Sequence, residues 1–272
     1  MKINFKKKTN FYEISSFSKV KKIDAYLILK QAFEQNKLFE DDNEFLNKFI
    51  NYFKKGMKSE SQLFQDIFAS FIISNNFKKT FFEFGATDGV ELSNTYSLEK
   101  YLGWQGALAE PSPQWHKSLY KNREKSHIIK ECIWSKSDES INFFMSDAGM
   151  LSTIEDFLNN DIETMPGNTN LRKKNGKSIK VKTITLNKVI EKYFDNISPS
   201  YISIDTEGSE YEILKFFDFE KYSPYLFTIE HNFTNNQGKI DELLIKNNYL
   251  RVFKDLTYFD AWYIRKDAYN LL

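Results

Sequence analysis

The chain has 272 residues, and its 38 Lys and Arg residues against 37 Asp and Glu residues leave a formal net charge of +1. Hydrophobic residues make up 41% and aromatic residues 17%, so the chain can bury a large core and does not have the composition of a disordered segment. The near-neutral charge predicts no nucleic-acid partner, the lack of a run of roughly 18 apolar residues predicts no membrane span, and the single cysteine, Cys132, fits a reducing compartment, so we expect a cytoplasmic protein.

Residues 1–60 predict a helical extension that precedes a main domain of residues 61–272. The segments Asp24–Phe33 and Phe45–Phe53 carry apolar residues at helical spacing, and Asp41–Asn43 is a suitable N-cap for the second. We expect this extension to pack on the main domain. The alternatives are a homo-oligomer interface and a lid over a substrate.

From residue 61 onward, strand and helix patterns alternate, which predicts an α/β fold with a mostly parallel sheet covered on both faces. Two aromatic strands, Tyr249–Lys254 and Thr257–Ile264, are separated only by residues 255–256 and predict an antiparallel hairpin at one sheet edge. Residues 146–177 have no clear pattern and predict a lid or binding loop. The other predicted strands are Lys79–Phe84, Gln105–Ala109, His127–Trp134, Ser140–Met145, Ser178–Thr185, Tyr201–Ile204 and Tyr225–Glu230; the predicted helices are Ser61–Asn75, Asn94–Tyr101, Pro113–Arg123, Leu186–Phe194, Ser209–Phe217 and Lys239–Asn247.

The segment Phe81–Gly89 is an apolar strand that runs into a glycine turn. Backbone amides in the turn between Gly85 and Gly89 would face a ligand carboxylate, and Asp88 would engage an amino group. The spacing of the two glycines is GxxxG, whereas a dinucleotide-binding turn has GxGxxG, which disfavours an NAD-dependent oxidoreductase. The simplest alternative is an ordinary chain reversal, with Glu83 a water-facing acid at the strand edge.

A second predicted strand ends at Glu110, about twenty residues after the glycine turn, which is the spacing of an acid that binds ribose hydroxyls. The alternative is a helix-start acid stabilised by the helix dipole. Glu131 and Cys132 follow the third strand, and the expected strand order places them near an adenine. These features favour a nucleoside ligand, and with the acids described below they indicate S-adenosylmethionine.

Five segments, taken in order, resemble the FkbM family of S-adenosylmethionine-dependent methyltransferases. They are Phe82–Gly89, Leu92–Thr95, Ala109–Pro111, Leu151–Thr153 and Ser203–Glu210, of which the last is the most distinctive. The resemblance covers about residues 60 to 265, and it leaves out the extension. It implies a class I, Rossmann-like methyltransferase fold.

The resemblance also implies roles for particular residues. The methionine part of the cofactor would be held by Glu83, Gly85, Ala86 and Asp88, and the ribose by Glu110; Asn94, Cys132 and Asp205 complete the expected cofactor site. Members of the family mostly methylate hydroxyl groups of sugars and polyketide-like natural products, often in polysaccharide gene clusters. The Lys-, Asn-, Ile- and Phe-rich composition suggests an AT-rich bacterial genome, so a sugar or nucleotide-sugar of a surface polysaccharide is the expected acceptor.

Acids also follow two later strands. Asp205 and Glu207 come after the most apolar strand, and Glu230, His231 and Asn232 come after the next one. One interpretation makes His231 the general base, assisted by Asp205 and Glu207. In the other, Asp205, Glu230 and His231, with Asn232 as a further candidate ligand, bind Mg²⁺ or Mn²⁺, which lowers the pKa of the acceptor hydroxyl. A loop-stabilising role for His231 is the third possibility.

The expected mechanism is direct methyl transfer to the acceptor oxygen, without a covalent enzyme intermediate. Ser152 and Thr153 lie on the predicted lid, as does the basic stretch Arg172–Lys174, which would either meet a phosphate or be a solvated loop. A non-catalytic nucleoside sensor is the alternative from another class of protein. Such a sensor would have no reason to gather the acids after two neighbouring strands.

Overall fold

The computed structural model describes residues 43–73, 77–254 and 257–271. The predicted helix Asp24–Phe33, the first two residues of the predicted N-cap and residues 255–256 of the hairpin lie outside the described residues. Among the described helices, none combines the length and the apolar character that crossing a bilayer requires.

Eleven strands in the described residues form two sheets. The larger sheet has seven strands in the order β10-β11-β9-β8-β1-β2-β3, and the smaller has four in the order β4-β7-β5-β6. The strands are β1 Thr80–Phe84, β2 Gln105–Ala109, β3 His127–Ile129, β4 Cys132–Ile133, β5 Ser140–Ser146, β6 Thr153–Ile154, β7 Gly176–Ile184, β8 Tyr201–Ile204, β9 Leu226–Glu230, β10 Tyr249–Val252 and β11 Asp260–Arg265.

In the larger sheet the strands β3, β2, β1, β8 and β9 are parallel to one another. Only β11 runs antiparallel to its two neighbours, β9 and β10. The central strands of this sheet are buried on both faces, so their side chains form two separate apolar cores; Phe81 belongs to one and Phe82 to the other. This is the expected pattern for a parallel sheet covered by helices. The predicted α/β fold with a mostly parallel sheet is confirmed, including the C-terminal antiparallel hairpin. The second strand of the hairpin, β11, lies between β9 and β10, so that β10 is the edge strand.

Nine helices connect or flank these strands within the described part of the chain. They are α1 Asn43–Phe53, α2 Gln65–Ile72, α3 Tyr96–Leu102, α4 Pro113–Asn122, α5 Pro166–Lys174, α6 Leu186–Tyr193, α7 Glu210–Leu214, α8 Asn236–Lys246 and α9 Lys266–Tyr269. Seven of them were predicted, with boundaries that differ by a few residues. The other two, α5 and α9, were not, and α5 lies in the stretch that we expected to be a loop.

Two predictions for the middle of the chain were wrong. The strand expected at His127–Trp134 is two strands, because β3 ends the large sheet and β4 pairs with β7 of the small one. The stretch 146–177 contains β6, a short 3-10 helix at Glu155–Phe157, helix α5 and the start of β7. We call residues 146–176 the insert. Polar contacts hold much of the insert in place, so its sequence has little apolar periodicity. The sequence pattern therefore did not predict its helices and strands.

The described part of the extension packs on the main domain, as expected. Phe45 and Phe49 of α1 are buried, and their rings stack on Phe253 at centroid distances of 5.1 and 5.6 Å. Phe49 also meets Trp262 of β11 edge to face at 6.3 Å. Helix α1 therefore covers one face of the sheet near the C-terminal hairpin.

Candidate active site

The carboxyl ends of β1, β8 and β9 surround a cavity of about 450 Å³, within the size range of small-molecule sites. A smaller cavity of about 40 Å³ adjoins it beside β2 and β4. Asp205 and the turn after β1 line both. The larger cavity therefore lies where open parallel sheets bind ligands, and its lining includes Glu83, Gly85, Ala86, Asp88, Asn94, Asp205, Glu207 and Glu230.

The glycine turn after β1 depends on glycine for a steric reason. Gly85 has a φ of +86°, and a Cβ at this position would lie 1.7 Å from the carbonyl oxygen of Asp205. The amides of Gly85 and Ala86 donate to the carbonyl of Ala109 at 3.1 and 3.3 Å. Three strand ends are thereby brought together, and any side chain larger than hydrogen at Gly85 would force them apart.

Glu83 is buried, which corrects the alternative of a water-facing acid at the strand edge. Its carboxylate accepts hydrogen bonds from the Ser93 hydroxyl at 2.9 Å, from the Asn94 amide at 2.7 Å and from the Thr95 hydroxyl. Arg123 lies 3.8 Å away. Glu83 thus anchors the segment that carries Asn94 into the cavity wall.

The side-chain amide of Asn94 uses its nitrogen but not its oxygen within the described residues. Its Nδ2 donates to the Ser203 hydroxyl at 2.9 Å, whereas its buried Oδ1 accepts no hydrogen bond from them. A buried acceptor without a partner is unfavourable until a donor reaches it. The ammonium group of a bound amino acid would be such a donor, which fits the expected role of Asn94.

Asp88 shapes the turn in which it lies. Its Oδ1 accepts from the amides of Val90 and Glu91 at 2.8 and 2.9 Å, and its backbone carbonyl accepts from Asn122 at 2.9 Å. The side-chain Oδ1 is therefore engaged within the protein. Asp88 also lines the cavity, so the predicted contact with an amino group would be made by its Oδ2.

Glu110 is buried at the end of β2, beside the smaller cavity. Its two oxygens accept from the amides of Thr87 at 2.9 Å and Ser112 at 2.8 Å, which fixes the orientation of the carboxylate. Burial raises the pKa of Glu110 to about 7, although these hydrogen bonds oppose the shift. The charged form is therefore costly without a ligand, and ribose hydroxyls would be suitable donors.

Cys132 lines the smaller cavity with Glu110, as the sheet order predicted. Burial and the charge of Glu110 raise the pKa of the Cys132 thiol to about 12, so it is an inert, apolar wall. Glu131 is in a different place: it lies in an open groove with Lys130, Lys180 and other residues outside both cavities. The prediction for Glu131 was therefore wrong.

Three carboxylates converge at the ends of β8 and β9. One oxygen from each of Asp205, Glu207 and Glu230 lies within 4.8 Å of the others. Burial, together with the charge of Glu210, raises the pKa of Asp205 to about 7. Burial, followed by the charge of Asp205, raises the pKa values of Glu207 and Glu230 well above their usual range. We call these three residues the acid cluster; it can hold protons near neutral pH.

Arg172 supplies the counter-charge of the acid cluster. Its Nη2 lies 2.6 Å from Glu207, and its Nη1 lies 2.7 Å from Asp161. Its Nε donates to the Leu151 carbonyl at 2.8 Å, and its side chain is fully buried. The proposal that the stretch 172–174 meets a phosphate is therefore wrong for Arg172, because its guanidinium is already paired.

The insert also binds the turn after β8 through a threonine. Thr153 donates to the carbonyls of Thr206 and Glu207, both at 3.1 Å. Glu210 closes the same turn by accepting from the amides of Thr206 and Gly208 at 3.0 and 2.9 Å, so its role is structural. These contacts position Glu207, which has a φ of +60°.

His231 is not part of the acid cluster, which corrects the expectation that it is the general base or a metal ligand. Its Nδ1 accepts from the amide of Phe233 at 3.0 Å, and its Nε2 lies 3.1 Å from the carbonyl oxygen of Asp260. Burial and the nearby charge of Arg251 lower its pKa to about 4. The buried, neutral imidazole holds the loop after β9 and does not line the cavity.

Asn232 occupies the place that we had expected for His231. Its Nδ2 donates to Glu230 at 2.8 Å and approaches Glu207 at 3.4 Å. The backbone of Asn232 has a φ of +46°, which turns its side chain toward the acids and that of His231 away. The adjacent Asn in the sequence was the only signal for this arrangement.

Aromatic and sulphur-containing side chains form much of the remaining wall, and sequence reasoning missed them. They come from the first turn of α4, from the loops after β9 and β10 and from the insert, so that no periodic pattern marks them. Those that line the larger cavity are Trp115, Met150, Met165, Phe233, Tyr258 and Phe259.

Comparisons with known proteins identify the family of this chain. A solved structure titled precorrin-6y C5,15-methyltransferase, from Geobacter metallireducens GS-15, is similar over 77% of this chain and 93% of its own, with 9% identity and a TM-score of 0.39. A comparison with curated proteins gives no match. The sequence model described as the methyltransferase FkbM domain matches residues 83–260, from the buried acid of β1 to the start of β11. The chain therefore belongs to the FkbM family of S-adenosylmethionine-dependent methyltransferases.

Proposed function

We propose that this methyltransferase transfers the methyl group of S-adenosylmethionine to a hydroxyl group of a sugar. The observation that carries the proposal is the acid cluster at the edge of the cavity, next to the glycine turn. A buried carboxylate that can accept a proton near neutral pH suits an oxygen acceptor, which must lose its proton during transfer.

The residues around the cavity fit the cofactor. The unpartnered Oδ1 of Asn94 would accept from its ammonium group, and the glycine turn, which lines the cavity, would lie against its methionine part. The amides of Gly85 and Ala86 already donate to the Ala109 carbonyl, so the predicted contact of these two amides with its carboxylate is not part of the proposal. Glu110 would accept from the ribose hydroxyls, and Cys132 would form part of the adenine wall. When bound, S-adenosylmethionine supplies a methyl group that is activated by its sulfonium.

We assign proton removal to the acid cluster. A carboxylate oxygen of Asp205 accepts the proton of the substrate hydroxyl, and its pKa of about 7 makes it an effective acceptor at neutral pH. Arg172 keeps Glu207 paired, and Asn232 orients Glu230. The aromatic wall and the insert limit the access of water to the reacting groups.

The charge of the cavity favours an uncharged acceptor. Six carboxylates line it in the described part of the chain, and no lysine or arginine among the described residues does so. Phosphate groups would meet repulsion there, so of the two predicted acceptors we favour a sugar over a nucleotide-sugar. Cytoplasmic location, bacterial polysaccharide synthesis and self-association through residues 1–60 remain part of the proposal.

The second candidate is the same transfer assisted by Mg²⁺ or Mn²⁺. The close approach of the three carboxylate oxygens is the observation that favours it. Asp205, Glu207 and Glu230 would hold the ion, which would lower the pKa of the acceptor hydroxyl. Glu207 is already paired with Arg172, so an ion held by these three carboxylates would share Glu207 with that guanidinium.

Labelled methyl transfer to a panel of sugars and nucleotide-sugars tests the proposal. We expect the label on a sugar oxygen, a loss of at least about a hundredfold in Asp205→Asn, and unchanged binding of S-adenosylhomocysteine in Glu91→Gln, a control on the cavity rim. Transfer that disappears on chelation and returns with Mn²⁺ would favour the second candidate. A protein that binds NADH but not S-adenosylhomocysteine would refute both.

A further inference from the structure

Trp115 has a buried hydrogen-bond donor that no residue in the described part of the chain satisfies. It lies in the first turn of α4, and it lines the larger cavity. The donor is the indole Nε1, which is buried and finds no acceptor among the described residues. Trp262 offers a contrast, because its Nε1 donates to Asp260 at 2.9 Å. A buried donor of this kind is unfavourable unless a ligand or a water accepts from it.

The insert fixes the orientation of this indole. Gly149 has a φ of +57°, and a Cβ there would lie 2.3 Å from Cζ2 of Trp115. The Gly149 carbonyl accepts from Ser152 at 2.7 Å, and its amide donates to Ser146 at 3.0 Å, so the turn that presses on the ring is itself well held. The indole therefore has little freedom to turn its N–H toward another protein group.

The position of Trp115 indicates which part of the cofactor it meets. It follows Glu110 by five residues, and Gly149, against which it packs, lines the smaller cavity together with Glu110 and Cys132. That cavity is the one assigned to the nucleoside. The nucleoside offers ribose oxygens and ring nitrogens as hydrogen-bond acceptors. By contrast, Oδ1 of Asn94, the other unpartnered side-chain atom among the described residues that line the larger cavity, requires a donor.

We propose that the indole N–H of Trp115 donates a hydrogen bond to the nucleoside half of the cofactor, an inference that rests on the proposed function. The contact would make Trp115 a second anchor beside Glu110. It would also link cofactor binding to the insert, because Gly149 holds the ring in place.

Indole resonances of uniformly ¹⁵N-labelled protein test this directly. The signal of Trp115 is identified by its absence from Trp115→Phe, a variant that keeps an aromatic ring against Gly149. We expect S-adenosylhomocysteine and adenosine to shift this signal downfield, and methionine alone to leave it in place. A signal that ignores adenosine, or that moves only with methionine, overturns the inference.

Affinity gives a second, independent measurement. Trp115→Phe is expected to bind S-adenosylhomocysteine about three- to tenfold more weakly, the range of one neutral hydrogen bond. Trp134→Phe is the matched control, because Trp134 packs on Phe157 and lines neither cavity. Equal affinity of wild type and Trp115→Phe would overturn the inference, whereas a wild type that fails to bind S-adenosylhomocysteine would refute the proposed function itself. If Trp115→Phe does not fold, Phe variants of Trp104, Trp134 and Trp262 assign the other three indole signals. The remaining signal is then that of Trp115, and the effect of adenosine on it in the wild type decides the question.

Discussion

Cofactor binding is predicted to weaken at acidic pH because of Glu110. Burial raises the pKa of this carboxyl from 4.5 to about 7 in the protein without ligand. Ribose hydroxyls donate to a carboxylate, so that binding selects the ionised form. One pH unit below the pKa, about a tenth of the molecules are ionised. The affinity for S-adenosylhomocysteine should therefore be about tenfold lower at pH 6 than at pH 8.

Removal of the carboxylate gives the second part of this prediction. Glu110→Ala loses the hydrogen bonds to the ribose and leaves the amides of Thr87 and Ser112 without their acceptor. We expect a loss of about 2–4 kcal/mol, or roughly 30- to 1,000-fold in affinity. Glu91→Gln, which changes an exposed acid on the adjoining larger cavity, should bind like the wild type.

Calorimetric titration of S-adenosylhomocysteine into metal-stripped protein at several pH values measures both effects. Asp205 lines the same cavity and also has a pKa of about 7, so the contribution of Glu110 is the difference between the wild-type and Glu110→Ala profiles. If the two profiles are parallel, Glu110 does not titrate on binding and its assignment to the ribose is refuted.

The remaining predictions concern the fold around the site and the role of the imidazole. Gly85→Ala should lower the free energy of unfolding by at least about 2 kcal/mol in denaturant melts, because its Cβ would overlap a backbone carbonyl, whereas Gly238→Ala, with open space around it, should be neutral or slightly stabilising. Arg172→Met should destabilise by about 3–5 kcal/mol, since it leaves Glu207 buried without a counter-charge; thermal melts that match the wild type would contradict this. His231→Gln should retain methyl transfer within about threefold, because the imidazole only holds its loop; a loss beyond a hundredfold, with S-adenosylhomocysteine binding intact, would return His231 to the catalytic group.

The parts of the site that could be predicted are those that strand ends define. Glu83, Glu110 and Asp205 each end a short apolar strand, and parallel strands bring their carboxyl ends to one edge of the sheet. The spacing between Gly85 and Gly89 likewise disfavoured a dinucleotide turn. Each of these features can be recognised within about five to ten residues of sequence.

The parts that could not be predicted depend on contacts across long stretches of chain. Arg172 contacts Glu207 from an insert that lacks apolar periodicity. Because basic residues follow Arg172 in the sequence, a solvated loop was one of the two predictions for this stretch. The backbone dihedral angles after β9 decide that Asn232, and not His231, faces the acid cluster, and composition does not reveal these angles. The division of His127–Trp134 into two strands depends on pairing with β7, about fifty residues later.

The place of β11 between β9 and β10 has a consequence for the order in which the sheet can be assembled. During synthesis β10 leaves the ribosome before β11, yet it pairs only with β11. The backbone groups of β10 therefore stay unpaired until β11 has inserted beside β9. Tyr258 and Phe259, which immediately precede β11, reach the cavity wall in that same step. The nascent protein should thus acquire its ligand-binding site at the moment when the sheet closes, and an early domain that lacks β11 would expose two unpaired strand edges to chaperones or to other copies of itself.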